Sequence, residues 1–146
     1  MTAGGACVFC AIVARTAEAS VVHSDEHVVA FMDIRPVVPG HLLVVPRQHA
    51  VGLADLDPED GVRVFRAAQR LAAALRRSDL PCGGVNLFLA DGEVAGQAVF
   101  HVHLHVLPRN PADGFRLRFD RRFPSRAELD GQARRIRAGL GLSRGS

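Results

Sequence analysis

Three histidines recur on alternate residues, His101, His103 and His105, within the run from Gly96 to Pro108. Successive side chains of a strand point to opposite faces, so a strand here would set all three imidazoles on one side, about 7 Å apart. Phe100, Val102, Leu104 and Val106 would take the other side, where a core can bury them. Imidazole is the side chain best suited to nucleophilic attack and proton transfer near neutral pH. Two histidines at i and i+2 can also be an ordinary zinc pair, and a lone histidine is often a plain surface or core residue. Three in register behind Gly96-Gln97 fit a reactive face better.

A second chemical feature is Cys7-Val8-Phe9-Cys10. Such a pair suits a metal or a redox exchange, but no thioredoxin-like βαβ pattern surrounds it. Two free thiols are the remaining reading. Cys82, between Pro81 and Gly83, reads as a loop thiol, and an odd cysteine count argues against a disulfide framework.

The elements that must hold these residues read as follows. A short helix spans Cys7 to Ala14, and the β-branched runs 20–23 and 27–32 form a hairpin. Pro39-Gly40 marks a turn into a third strand over 41–45. Asp57 caps a long helix with Pro58 at its first position, and Val62, Phe65, Leu71 and Leu75 fall near helical spacing. Strands follow at 85–89 and along the histidine run. Ser125-Arg126-Ala127-Glu128 has the form of a capping box, so a last helix runs from Ser125 to about Ala138. This order predicts an α+β fold: an antiparallel sheet of about five strands, one long helix, and short helices at the two ends.

The 146 residues are enough for one domain. Residues 1–108 hold 8 Arg against 11 acidic residues, whereas 109–146 hold 10 Arg against 4. No lysine is present, which excludes Schiff-base chemistry. The basic segment 109–146 could bind phosphate or nucleic acid. With only Phe115, Phe119 and Phe123 as aromatics there, a stacking platform is poorly supported, and solvated arginines are the reading preferred. No apolar run is long enough for a membrane span. Met1 to Ala6 lacks the basic start and apolar stretch of a signal peptide, so a cytoplasmic location is expected.

His-Val-His-Leu-His-Val-Leu at 101–107 resembles the signature of the histidine triad (HIT) family, and the segments 31–36, 39–41, 45–49 and 95–97 resemble further landmarks in family order. The likeness runs from about Cys7 to Phe115 and is greatest to Hint-like bacterial members that carry zinc. It implies one HIT domain over 1–146, with a core over 7–115 and an Arg-rich extension over 116–146. It implies a nucleotide hydrolase or nucleotidyl transferase cleaving at the α-phosphate of a purine nucleotide conjugate. His103 would be the nucleophile, with His105, His101 and His41 completing the catalytic set. Asp33 would hold the ribose, Phe9, Ile12, Phe31 and Ile34 the base, and Gly96 and Gln97 the phosphate. The resemblance also implies one structural zinc per chain on Cys7, Cys10, His49 and His101, and a homodimer. Two departures stand out: Ala98 replaces a frequent hydroxyl residue, and Ala90 an amide. They favour an alternative in which the chain binds nucleotides without useful catalysis. A catalytic zinc enzyme using His101 and His103 with an open metal position is a third reading.

Overall fold

In a computed structural model, residues 6–142 are described. The chain divides into two compact units, with the break between Phe115 and Arg116. That a single domain spans all 146 residues stays an expectation. The expectation about a leader over Met1–Gly5 lies outside the described residues. Among those described, no helix is long and apolar enough to cross a membrane.

The first unit is an antiparallel sheet of five strands with helices on both faces. Its elements are α1 (Val8–Val13), β1 (Val21–Ser24), β2 (Val28–Met32), β3 (Leu42–Pro46), α2 (Pro58–Arg77), β4 (Gly84–Phe88) and β5 (Leu104–Arg109), ordered β1-β2-β3-β5-β4 across the sheet. The α+β architecture expected from the sequence is the one observed. A 3₁₀ turn at Glu93–Ala95, which no sequence signal announced, links β4 to the histidine segment.

The period-2 alternation of β2 and β3 builds two cores. Val28, Ala30, Leu42 and Val44 pack with Leu104 and Val106 against Val64, Ala67, Ala68, Leu71 and Leu75 of α2. Val29, Phe31, Leu43 and Val45 take the other face and cover Cys7, Phe9 and Ile12 of the α1 segment. The cysteine pair and the histidine row lie on this second face. Helix α2 starts as expected, with the Asp57 carboxylate accepting from the Glu59 N–H at 2.8 Å and Pro58 in its first turn.

Two expectations need correction. Val62 and Phe65 were read with the apolar face of α2, yet they are about half exposed. The buried stripe is instead 64, 67, 68, 71 and 75, and three small or branched residues carry its first half, so the larger side chains point to the wrong face. The strand expected through all three histidines begins only at Leu104. The ladder with β3 ends at Val44 opposite Leu104, and Val102 N–H turns away to donate to the Ala50 carbonyl at 2.8 Å. Of the three, only His105 sits in the sheet, opposite Leu43 and Phe88.

Gly40 precedes His41 with φ at +90°, and a Cβ there would meet the Pro108 ring at 3.0 Å. Gly40→Ala is therefore expected to lower unfolding stability by more than about 1 kcal/mol, read by urea titration. The second unit holds α3 (Arg126–Leu140), whose Ser125 and Glu128 form the expected capping box and which buries none of its residues.

Candidate active site and metal centre

His103 is fixed by its neighbour in the chain. Its Nδ1–H donates to the His101 carbonyl at 2.8 Å; a carbonyl can only accept, so the neutral ring keeps its lone pair on Nε2. Among the described residues, no side-chain nitrogen or oxygen is sealed from solvent without a partner. Nε2 of His103 has no such partner and therefore opens to solvent, although the residue as a whole is 7 % exposed. The Phe9 ring meets it edge-on, with centroids 5.1 Å apart.

His105 is set by a chain of donors from the turn before β3. Val37 N–H donates to His41 Nδ1 at 3.1 Å, which leaves the His41 proton on Nε2. That N–H donates to His105 Nδ1 at 2.9 Å, so neutral His105 carries its own proton on Nε2. The Asp33 carboxylate lies 3.4 Å from His41 Nε2 and also accepts from Arg35 N–H at 2.8 Å. The rings of His103 and His105 are 4.9 Å apart. A lone pair and an N–H without partners among the described residues thus sit on neighbouring rings.

Burial, then the adjacent His103 and His41 rings, hold His105 down at about 4 against the opposing pull of Asp33. Burial lowers His41 as well. In the unfolded chain His105 would return to about 6.5 and take up a proton that the folded ring refuses. Its stability contribution is therefore present above about pH 6.5 and lost as pH falls towards 4. Between pH 7 and 4.5 the wild-type protein is expected to lose more stability than His105→Gln, by about 1 kcal/mol once solvent screening of the partly exposed ring is allowed for, read from urea melts at the two pH values.

The second cluster forms where α1 meets the histidine segment. His101 Nε2–H donates to the Pro46 carbonyl at 2.8 Å, which turns a lone pair on Nδ1 towards Cys7, Cys10 and His49. Nδ1 of His49 lies 3.2 Å from Nδ1 of His101, and Cys10 Sγ lies 3.3 Å and 3.5 Å from these two nitrogens. Cys7 Sγ is 3.5 Å from His101 Nδ1 and accepts from Cys10 N–H at 3.4 Å. All four donor atoms lie within 4.8 Å of one another. A tetrahedron with bonds of about 2.0–2.1 Å to nitrogen and 2.3 Å to sulfur has edges of roughly 3.3–3.8 Å, so the donor set fits zinc. Burial and the neighbouring Cys7 sulfur push the Cys10 thiol up to about 11, a cost that a bound cation reverses.

The other site residues named from the sequence are spread more widely. Phe9, Ile12 and Phe31 are buried in the core that lies beneath the histidines, whereas Ile34 is 87 % exposed. Gly96 and Gln97 already spend their backbone N–H groups on the Glu93 and Gly92 carbonyls. The Gln97 side chain accepts from Gly92 N–H and donates to the Val51 and Val99 carbonyls. These two residues hold the loop in shape, and the amides of Ala98 and Val99 beyond them have no carbonyl partner among the described residues. Ala90 is buried and Ala98 exposed. Sequence reasoning missed Phe88, which lies half exposed with its ring edge-on to His105 at 5.7 Å. Its place opposite His105 follows from strand register alone.

The HIT domain profile matches residues 14–112 of this chain. The chain belongs to the HIT family. An uncharacterized HIT-like protein of Mycobacterium tuberculosis is 41 % identical over 127 residues, 87 % of this chain and 86 % of that one. A HIT family structure from Bacillus subtilis superposes with a TM-score of 0.86 at 34 % identity, covering 94 % of this chain and 99 % of that one. A zinc-bound histidine triad protein of Mycobacterium smegmatis matches at 42 % identity and a TM-score of 0.74, covering 92 % and 94 %. In this HIT chain the Cys₂His₂ cluster and the histidine face share one strip of backbone. His101 serves both, with its ring towards the sulfurs and its carbonyl on His103.

Proposed function

We propose that this HIT protein is a nucleotide hydrolase or nucleotidyl transferase that cleaves purine nucleotide conjugates, phosphoramidates or dinucleoside polyphosphates, at the α-phosphate. One observation carries the reading: Nε2 of His103 presents a lone pair to solvent beside the Nε2–H of His105. In the first step Nε2 attacks phosphorus, an N–P bond forms, and the bond to the leaving group breaks with its electron pair. The His101 carbonyl, accepting from Nδ1–H, stabilises the positive charge that develops on the ring. His105 Nε2–H donates to a phosphoryl oxygen or to the leaving atom, oxygen in a polyphosphate and nitrogen in a phosphoramidate, which departs protonated. Water then attacks the same phosphorus, an O–P bond forms, and the N–P bond breaks with its electron pair returning to Nε2. The proton of the water passes to solvent, releasing the nucleoside monophosphate and restoring His103.

Asp33 is suited to the ribose, since its oxygens retain acceptor capacity beyond the Arg35 amide. Phe9 and Phe31 would back the base, with Ile12 behind them and Ile34 at the exposed lip. Phosphate oxygens would be received by the loop that Gly96 and Gln97 shape. Zinc on Cys7, Cys10, His49 and His101 would supply a structural clamp between α1 and the histidine segment, its four positions filled by protein. A homodimer is supported by β4, an edge strand with Leu87 and Phe88 exposed, and by Val62 and Phe65 on the outer side of α2.

Incubation with adenosine and guanosine phosphoramidates, dinucleoside polyphosphates and acyl-adenylates tests the proposal. Release of a purine nucleoside monophosphate from at least one class is the expected result. The alanines at 90 and 98, which offer no side-chain hydrogen bond near the phosphate, favour a second reading. Tight monophosphate binding with no turnover across the panel would replace the enzyme with a binding module.

A further inference from the structure

Helix α2 carries a feature that the histidine chemistry does not use. Arg63, Arg66, Arg70 and Arg77 fall within about 60° of one another around the helix axis and span roughly 21 Å along it, given 3.6 residues per turn and 1.5 Å per residue. They line two adjoining clefts of 460 and 290 Å³ between α2 and the β1–β2 hairpin, where His23 and His27 form the opposite wall. Both clefts share Ala67 and Arg70, so they form one furrow. α2 covers the sheet face opposite α1 and the reactive histidines, so this is a separate place on the first unit.

Among the described residues, most of the arginine charge in the furrow is left without an ion pair. Arg63 pairs with Asp60 at 3.1 Å, but among the described residues no carboxylate lies within ion-pair distance of Arg66, Arg70 or Arg77. Asp25 on the opposite wall stays ionised, accepting from the His27 and Val28 N–H groups and pairing with His23 at 2.9 Å, so one carboxylate stands against three arginines without an ion pair among the described residues. Glu26 faces His27 at 3.9 Å. Like charges three and four residues apart each cost a helix a few tenths of a kcal/mol. This concentration is local, since residues 1–115 hold 9 Arg against 12 acidic residues.

We infer that the furrow binds a linear chain of phosphates. Guanidinium forks match phosphate oxygens two at a time, and successive arginines along the helix can grip successive groups of an extended chain. The floor is aliphatic, with Ala67, Leu71 and Ala74, and no phenylalanine lines either cleft. Nucleobases would have nothing to stack on, so inorganic polyphosphate fits better than a single-stranded nucleic acid.

Titration of the full chain with long-chain polyphosphate, orthophosphate and a single-stranded oligonucleotide, across salt, tests the inference. Polyphosphate is expected to bind at low salt, at least about tenfold more weakly at 200 mM than at 50 mM, as charge neutralisation of a polyanion requires. Arg66→Glu with Arg70→Glu should weaken it by at least about tenfold, and the Gln pair by less. Reversing Arg134 and Arg135 on α3 changes net charge equally and should leave polyphosphate affinity within about twofold. Equal loss from the α3 reversal, absence of polyphosphate binding, or tighter binding of the oligonucleotide at equal phosphate would each overturn the inference. Turnover at His103 should be unaffected by the α2 reversal.

Discussion

If the proposed reaction holds, replacing His103 with alanine is expected to lower turnover of a nucleotide conjugate by at least about 10³-fold in kcat. The expectation follows from the division of labour on the ring. Nδ1 is committed to the His101 carbonyl, so Nε2 is the atom that can bond phosphorus, and no lysine exists to replace it. Circular dichroism should show the fold retained, since the ring lies at the solvent end of the core beside Phe9 and not between strands. His105→Ala should be milder, because it removes a donor and leaves the proposed nucleophile in place. Near-equal rates for wild type and His103→Ala in steady-state assays would contradict the assignment.

The second large effect concerns the cluster of Cys7, Cys10, His49 and His101. Protein purified without chelator is expected to contain about one equivalent of zinc per chain by elemental analysis, and Cys7→Ser with Cys10→Ser less than about a tenth. The double variant should also lose more than about 2 kcal/mol of stability, since α1 packs on the sheet mainly through Phe9 and Ile12 and is only six residues long. The loss should reach the histidines, because the same His101 that faces the sulfurs offers its carbonyl to His103. Wild-type protein lacking zinc, with the stability of the double variant, would remove the clamp.

The chemically distinctive side chains were legible in the sequence because their types are rare and their spacing repeats. The histidine row, the cysteine pair and the caps at Asp57 and Ser125 all belong to this class. What the sequence hid is mostly backbone. The carbonyls of Pro46 and His101 and the amide of Val37 decide where each imidazole keeps its proton, and no residue type marks them. The alternation of histidines suggested a regular strand, but pairing stops at Leu104 because Val102 bonds to the crossing loop at Ala50. On α2, Ala67 and Ala68 lie in the core while Val62 and Phe65 do not, so a search for large apolar residues picks the wrong face. Gly96 and Gln97 were legible as a landmark, yet their hydrogen bonds are spent inside the loop.

The most direct test is to quench the reaction within its first turnover, using a nucleotide conjugate labelled at the α-phosphate, and to map the label by mass spectrometry under conditions that preserve phosphoramidate bonds. A nucleoside monophosphate increment on the peptide containing His103, absent from His103→Ala and decaying as product appears, is the expected result. Product formation with no labelled peptide at any time, or a label residing on His101 or His105, would contradict attack by the middle histidine.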